Sequence, residues 1–203
     1  MSAFEEIRGE RLKKLELLKE KGVNPFPVSA KKSSDIAEIL RDFEKLLEKN
    51  KSLNVVGRIM AIRAHGGSVF FDLNDGTGKI QTYIKKDEIG EENFSLFNDT
   101  ADMGDFMEVS GIPFVTKKNE KTIKVSSWKM LAKSLRPLPE KWHGLSDVEE
   151  RFRKRYLDLL MNEDVRRRFV LRSKIISEVR KFLDKESFLE VETPVLQTLA
   201  GGA

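Results

Sequence analysis

At Leu53 the apolar period of this chain changes from that of a helix to that of a strand, and it holds to Ala132. Five short β-rich runs fill the interval: LNVVGRIMAIR, SVFFDLN, KIQTYIK, DFMEVSGIPFVTK and TIKVSSWKMLA. They are separated by HGG, by DGTG, by a longer polar stretch from about Lys86 to Met103, and by KKNEK. Gly66-Gly67 and Asp75-Gly76 supply the positive φ angles that tight turns demand, so the first two interruptions predict hairpins. The third is long enough to hold a helix around Glu91 to Phe97.

Five strands with a helix between the third and fourth is the order of an OB-fold barrel. Pattern alone also admits an SH3-like or other small barrel. Helices flank the strands. Residues 3–21 carry a narrow stripe of Leu12, Leu15 and Leu18. Residues 36–49 follow Asp35 and Glu38 in capping-box spacing, with Ile36, Ile39, Leu40, Phe43, Leu46 and Leu47 on one face. RPLP, residues 136–139, can neither continue a ladder nor enter a helix, so it opens a linker. Ser146 and Glu149 predict another capping box and a helix with Phe152, Tyr156, Leu159 and Leu160 on one side. A third helix is expected from about Asp164 to Lys185. Its stripe of Phe169, Arg172, Ile176, Val179 and Leu183, widened by Ile175 and Phe182, requires a large partner surface. The fold class is α+β: a helical extension over 1–52, a barrel over 53–135, a linker and helix over 136–163, and a further domain beginning at 164–203.

Composition narrows the chemistry. With no cysteine there is no disulfide framework and no thiol nucleophile, and only two histidines, His65 and His143, remain for imidazole chemistry. Neither has a second ligand nearby in sequence, and DGTGK lacks the spacing of a phosphate loop. No apolar run is long enough to span a bilayer, and MSAFEEIRGERLKK has acids where a signal peptide is apolar, so a cytoplasmic address is expected. The net charge is only +4, yet between Arg151 and Lys181 there are eleven Lys or Arg against four Asp or Glu. Such a cluster suits phosphates, and equally a solvated helix face.

Strand alternation sorts the second and third runs into two faces. Val69, Phe71, Leu73, Ile80, Thr82 and Ile84 belong to the core. Phe70, Asp72, Gln81, Tyr83 and Lys85 belong to the opposite face, to which the first strand adds Arg58. A ring that stacks beside groups that read a base edge is what recognition of unpaired bases needs. The alternative is that the N-terminal helices cover Phe70 and that Gln81 is merely a polar strand residue. Glu120, in the KKNEK turn, is accounted for by solvation alone.

RPLPEKWHGLSDVEERFRKRYLDLL, the helix to Lys185 and FLEVETPVLQTLAGGA together resemble class II lysyl-tRNA synthetases, and the resemblance extends back through HGGSVFFDLNDGTGKIQTYI to the N-terminus. It implies that the barrel binds the tRNA anticodon, with Phe70 stacking on an anticodon base, Gln81 and Glu120 reading base edges, and Arg58 assisting. It also implies that the last helix and a strand around Val191 are the first class II motif, whose proline is Pro194 and whose role is dimerisation. Gly202 resembles a backbone contact to lysine. Whole enzymes of this family use ATP and Mg²⁺ to attach lysine to tRNA. The two motifs that hold ATP would follow residue 203, so this chain is expected to contain no catalytic residue, to hold no metal or cofactor, and to bind tRNA without charging it. Three other readings stay open: a free-standing OB-fold protein for RNA or single-stranded DNA, a fragment that only dimerises through residues 164–196, and a relative of the aspartyl or asparaginyl enzymes.

Overall fold

The alternation that begins at Leu53 closes into a barrel. In the computed structural model, which describes residues 3–139, 145 and 147–194, the strands are β1 (Leu53–His65), β2 (Ser68–Asn74), β3 (Lys79–Lys85), β4 (Phe106–Val115) and β5 (Lys121–Ala132). They pair in the order β1-β2-β3-β5-β4, with β4 returning to β1. All pairings are antiparallel except β3 with β5. The OB order is therefore the one formed, and the chain divides between Leu138 and Pro139 into two units.

The interior takes the residues that alternation assigned to it. Val69, Phe71, Leu73 and Ile84 are fully enclosed, as are Val55, Ile59, Met107, Val109, Ile123 and Val125 from the other strands. Each such side chain contributes about 1.5–3 kcal/mol by leaving water. Helices α4 (Lys86–Ile89) and α5 (Glu91–Thr100) lie between β3 and β4. From α5, Phe97 plugs the barrel, its ring 5.0 Å from Phe71 and 5.6 Å edge-on to Trp128.

One strand departs from simple alternation. Ile59 pairs with Leu73 but Ala61 pairs with Asp72, so Met60 is an extra residue in β1. A bulge of this kind swaps the two faces beyond it. Ile62 consequently packs on the core and Arg63 turns outward.

The helical extension is fastened by charge as well as by leucines. In α1 (Ala3–Glu20), Leu15 and Leu18 are buried as the stripe requires, Leu12 is only partly covered, and Arg11 is buried beside them. The Arg11 guanidinium donates to the carbonyls of Ser134 at 2.9 Å, Arg136 at 3.0 Å and Met103 at 3.0 Å. Residues 36–49 form two helices instead of one, α2 (Ile36–Arg41) and α3 (Phe43–Lys49), turning at Asp42. The turn leaves the Leu40 carbonyl free of its helical donor, and the Lys121 ammonium takes that place at 3.3 Å.

At the start of α2, Glu38 reaches back to the Asp35 N–H at 3.4 Å. The next two donors go to the β2–β3 turn: Ile36 N–H to Asp75 Oδ2 at 3.0 Å and Ala37 N–H to Thr77 Oγ1 at 3.2 Å. Burial opposes ionisation of Asp75, but donors from Thr77, Ile36 and Lys32 outweigh it and hold the carboxyl at about 2. DGTG is thus a hairpin turn and a remote helix cap.

In the second unit the expected helix after the linker is also two, α6 (Val148–Arg153) and α7 (Arg155–Met161). Its cap is Asp147, which accepts the Glu150 N–H at 2.7 Å; Ser146 lies outside the described residues. The break at Lys154 lets the enclosed Asp158 carboxylate gather Arg151 at 3.0 Å, Arg155 and Asn162. Helix α8 (Glu163–Lys185) presents Phe169, Ile175, Ile176, Val179, Phe182 and Leu183 to solvent. The strand expected around Val191 is not formed: residues 186–194 have no regular structure and Val191 is exposed. A strand needs a ladder partner, and all five described strands are in the barrel. No helix among the described residues is long and apolar enough to cross a membrane.

Candidate nucleic-acid interface

Register decides which polar and aromatic residues meet. On the outside of the barrel, Phe70 of β2 faces Tyr83 of β3 directly, and Asp72 faces Gln81. The Phe70 and Tyr83 rings lie 4.6 Å apart at a 35° tilt, and Tyr83 continues to Phe114 at 5.8 Å. All three rings are partly exposed, giving a short aromatic platform.

Beside it the parallel pairing of β3 with β5 sets Gln81 opposite Thr122. This non-local pairing carries the preceding turn, with Asn119 at φ 61°, over the same face. Gln81 Nε2 then donates to Glu120 Oε2 at 2.7 Å, and Thr122 Oγ1 donates to Gln81 Oε1 at 3.0 Å. Glu120 is therefore a partner of Gln81 as well as a solvated turn residue.

The cations follow the bulge. Arg63 sits opposite Phe70 on β1, and its guanidinium approaches Asp72 at 3.5 Å, while Lys79 reaches the same carboxylate at 3.2 Å. Both side chains are half exposed. Lys85 completes the set; its ion pair with Asp87 at 2.9 Å raises its pKa. Arg58 is placed elsewhere. It pairs with Asn74, four residues along β2 from Phe70, or about 13 Å at the rise of a strand. There it donates to the Gly104 carbonyl at 3.0 Å and lies 4.1 Å over the Phe106 ring, with burial lowering its pKa. Sequence reasoning missed Arg63 because nothing in IMAIR marks Met60 as a bulge.

The N-terminal helices leave the platform open. Helix α2 meets the barrel at the β2–β3 turn, where Ile36 packs on Gly78, and the α2–α3 junction meets Lys121. Phe70 is five residues from Asp75, about 16 Å away along the strand. Helix α1 packs on α5.

Of the remaining candidates, Pro194 is exposed at the end of the irregular segment. Gly202 and His143 lie outside the described residues, and His65 is exposed at the end of β1. Among the described residues no group of three or more His, Asp or Glu is placed to hold a metal ion.

Known proteins resemble the chain in both units. Residues 53–131 match the family of OB-fold nucleic acid binding domains, and residues 147–203 match class II tRNA synthetases of the D, K and N type. The chain is 48% identical over 193 residues to the lysine–tRNA ligase of Carboxydothermus hydrogenoformans, covering 95% of the chain and 39% of that protein. It is 49% identical over 195 residues to lysine–tRNA ligase 2 of Methanosarcina mazei, covering 95% and 38%. It is 43% identical over 205 residues to the lysine–tRNA ligase of Thermotoga maritima, covering 98% and 41%. The chain thus spans about two fifths of the length of these relatives. With an OB barrel and the start of a class II synthetase domain in one sequence, the chain belongs to the class II lysyl-tRNA synthetase family.

Proposed function

We propose that these residues bind the anticodon loop of a lysine-accepting tRNA, as the tRNA-binding portion of a lysine–tRNA ligase acting in the cytoplasm. The observation that carries this reading is the Phe70–Tyr83 ring pair beside the Gln81–Glu120 hydrogen bond on one open sheet face. Phe70 stacks on an unpaired base, Gln81 and Glu120 meet its edge, and Arg63 and Lys79 neutralise flanking phosphates. Arg58, fixed to Gly104, supports the strand beside this patch.

Binding of a labelled U-rich anticodon hairpin, followed by fluorescence anisotropy, tests the reading. Phe70→Ala should weaken it by about 1–3 kcal/mol, or roughly 5–150-fold. An unchanged affinity would remove Phe70 from the interface. Aminoacylation is a property of the relatives as whole proteins. The 203 residues by themselves should leave tRNA uncharged in the presence of lysine and ATP, and measurable charging would refute this part.

The exposed apolar face of α8 is proposed to pair with a second copy of the chain, with Pro194 in the adjoining segment. Sedimentation should show a concentration-dependent dimer that Ile175→Glu weakens. A strictly monomeric wild type would contradict the pairing.

A further inference from the structure

We propose that Thr122, a residue the RNA cannot touch, sharpens which pyrimidine the interface accepts by anchoring the Gln81 amide in the sense that Glu120 gives it. The inference rests on the anticodon-binding reading above and extends it to base discrimination.

A glutamine amide can present its oxygen and nitrogen either way round, and the neighbours decide which. The Glu120 carboxylate is acceptor-only when ionised, so the amide atom 2.7 Å from it must be the nitrogen. The amide oxygen is thereby turned to the Thr122 hydroxyl at 3.0 Å, which must donate. That hydroxyl also lies 3.1 Å from the Glu120 carbonyl. This carbonyl is also served by the Thr116 N–H, whereas Gln81 Oε1 has no other donor among the described residues. Thr122 is fully buried, so its hydroxyl acts only through Gln81.

Held in this way, Gln81 offers solvent one remaining N–H and one remaining oxygen lone pair in a fixed order. Uracil and cytosine have the same shape and stack alike on Phe70. Their edges are reversed: uracil presents an acceptor at position 4 and a donor at position 3, and cytosine a donor at 4 and an acceptor at 3. An amide anchored at both its nitrogen and its oxygen distinguishes the two, whereas one that has lost its oxygen anchor can swing away from Glu120 and accept both. Thr122 is therefore a positioning residue for specificity, while Phe70 supplies affinity.

The test measures the ratio of affinities for two anticodon hairpins that differ only by uracil or cytosine at each loop position in turn. In the wild-type chain the ratio at one position should be about tenfold or more. In Thr122→Val, which keeps the shape and removes the hydroxyl, it should fall to within about threefold, chiefly because the cytosine hairpin binds better. Thr122→Ser should recover the wild-type ratio, and Thr122→Ala serves as the second hydroxyl-free variant should the valine not fold. A wild-type ratio retained in either hydroxyl-free variant overturns the role of Thr122 and leaves the anticodon reading intact. Phe70→Ala binding the hairpins as the wild type does, or a wild type that binds neither, overturns both.

Discussion

Replacing Lys133 with methionine should cost about 3–5 kcal/mol, measured as a fall in the midpoint of urea unfolding. The Lys133 side chain is fully enclosed, with its ammonium 2.7 Å from Asp105 and also paired to Asp102. The Asp105 carboxylate is equally enclosed and accepts the N–H groups of Asp102 at 2.8 Å and Ser134 at 2.7 Å. Methionine fills the space but leaves that charge without its cation. Asp102 is less affected, because Lys14 of α1 reaches it at 2.6 Å. Burial already raises the pKa of Asp105 above its ordinary value despite Lys133. A carboxyl with a raised folded pKa binds its proton more tightly when folded, so it favours folding at low pH, and that contribution is lost as pH rises through the folded value. Removing Lys133 raises the folded pKa further. The deficit of the variant should therefore be larger at pH 7 than at pH 5, and a deficit independent of pH would show that Asp105 does not carry it.

Gly111→Ala should be comparably damaging, about 3 kcal/mol or more, because the obstruction is backbone. A Cβ built at Gly111 lies 2.1 Å from the Lys124 carbonyl oxygen and 2.8 Å from its carbon. The pairing of β4 with β5 slips between Ser110 and Gly111, bringing the two backbones together at this point. Lys124 also pairs with Tyr83 across β3, so it cannot withdraw without loosening the seam that holds Gln81 against Thr122. Gly9→Ala is the contrast. Nothing lies within 4 Å of its Cβ position and it sits inside α1, so alanine there should stabilise by up to about 1 kcal/mol. Opposite signs at Gly9 and Gly111 are expected in the same unfolding assay, and a wild-type midpoint for Gly111→Ala would contradict the close approach.

The barrel was legible in the sequence because β2 and β3 are short and alternate cleanly, and because β1 and β2 end in glycine turns. Val69, Phe71 and Leu73 go inside on period alone, and Phe70, Gln81 and Tyr83 go outside by the same count. The stripe of α8 was legible too, since its apolar spacing does not depend on what covers it. What escaped local reading depends on distant partners. Met60 has no signature of a bulge, so the outward turn of Arg63 was not foreseen. Glu120 joins Gln81 through a parallel pairing between strands 39 residues apart in that contact. The breaks at Asp42 and Lys154 are stabilised by Lys121, which serves the freed Leu40 carbonyl, and by Asp158, which gathers side chains from both sides of its break. Nothing in the sequence marks Arg11 or Lys133 as buried, because burial of a paired cation leaves no periodic trace.

The central claim is that the Phe70 face is where RNA binds. Two-dimensional NMR of the ¹⁵N-labelled chain, titrated with a lysine-type anticodon hairpin, locates the contact directly. The account predicts that the amides of Arg63, Phe70, Gln81, Tyr83 and Glu120 shift, together with the side-chain NH₂ of Gln81, while those around Asn54, Ser110 and Ser127 across the barrel stay in place. Shifts confined to the second face, or to residues 148–185, would contradict it.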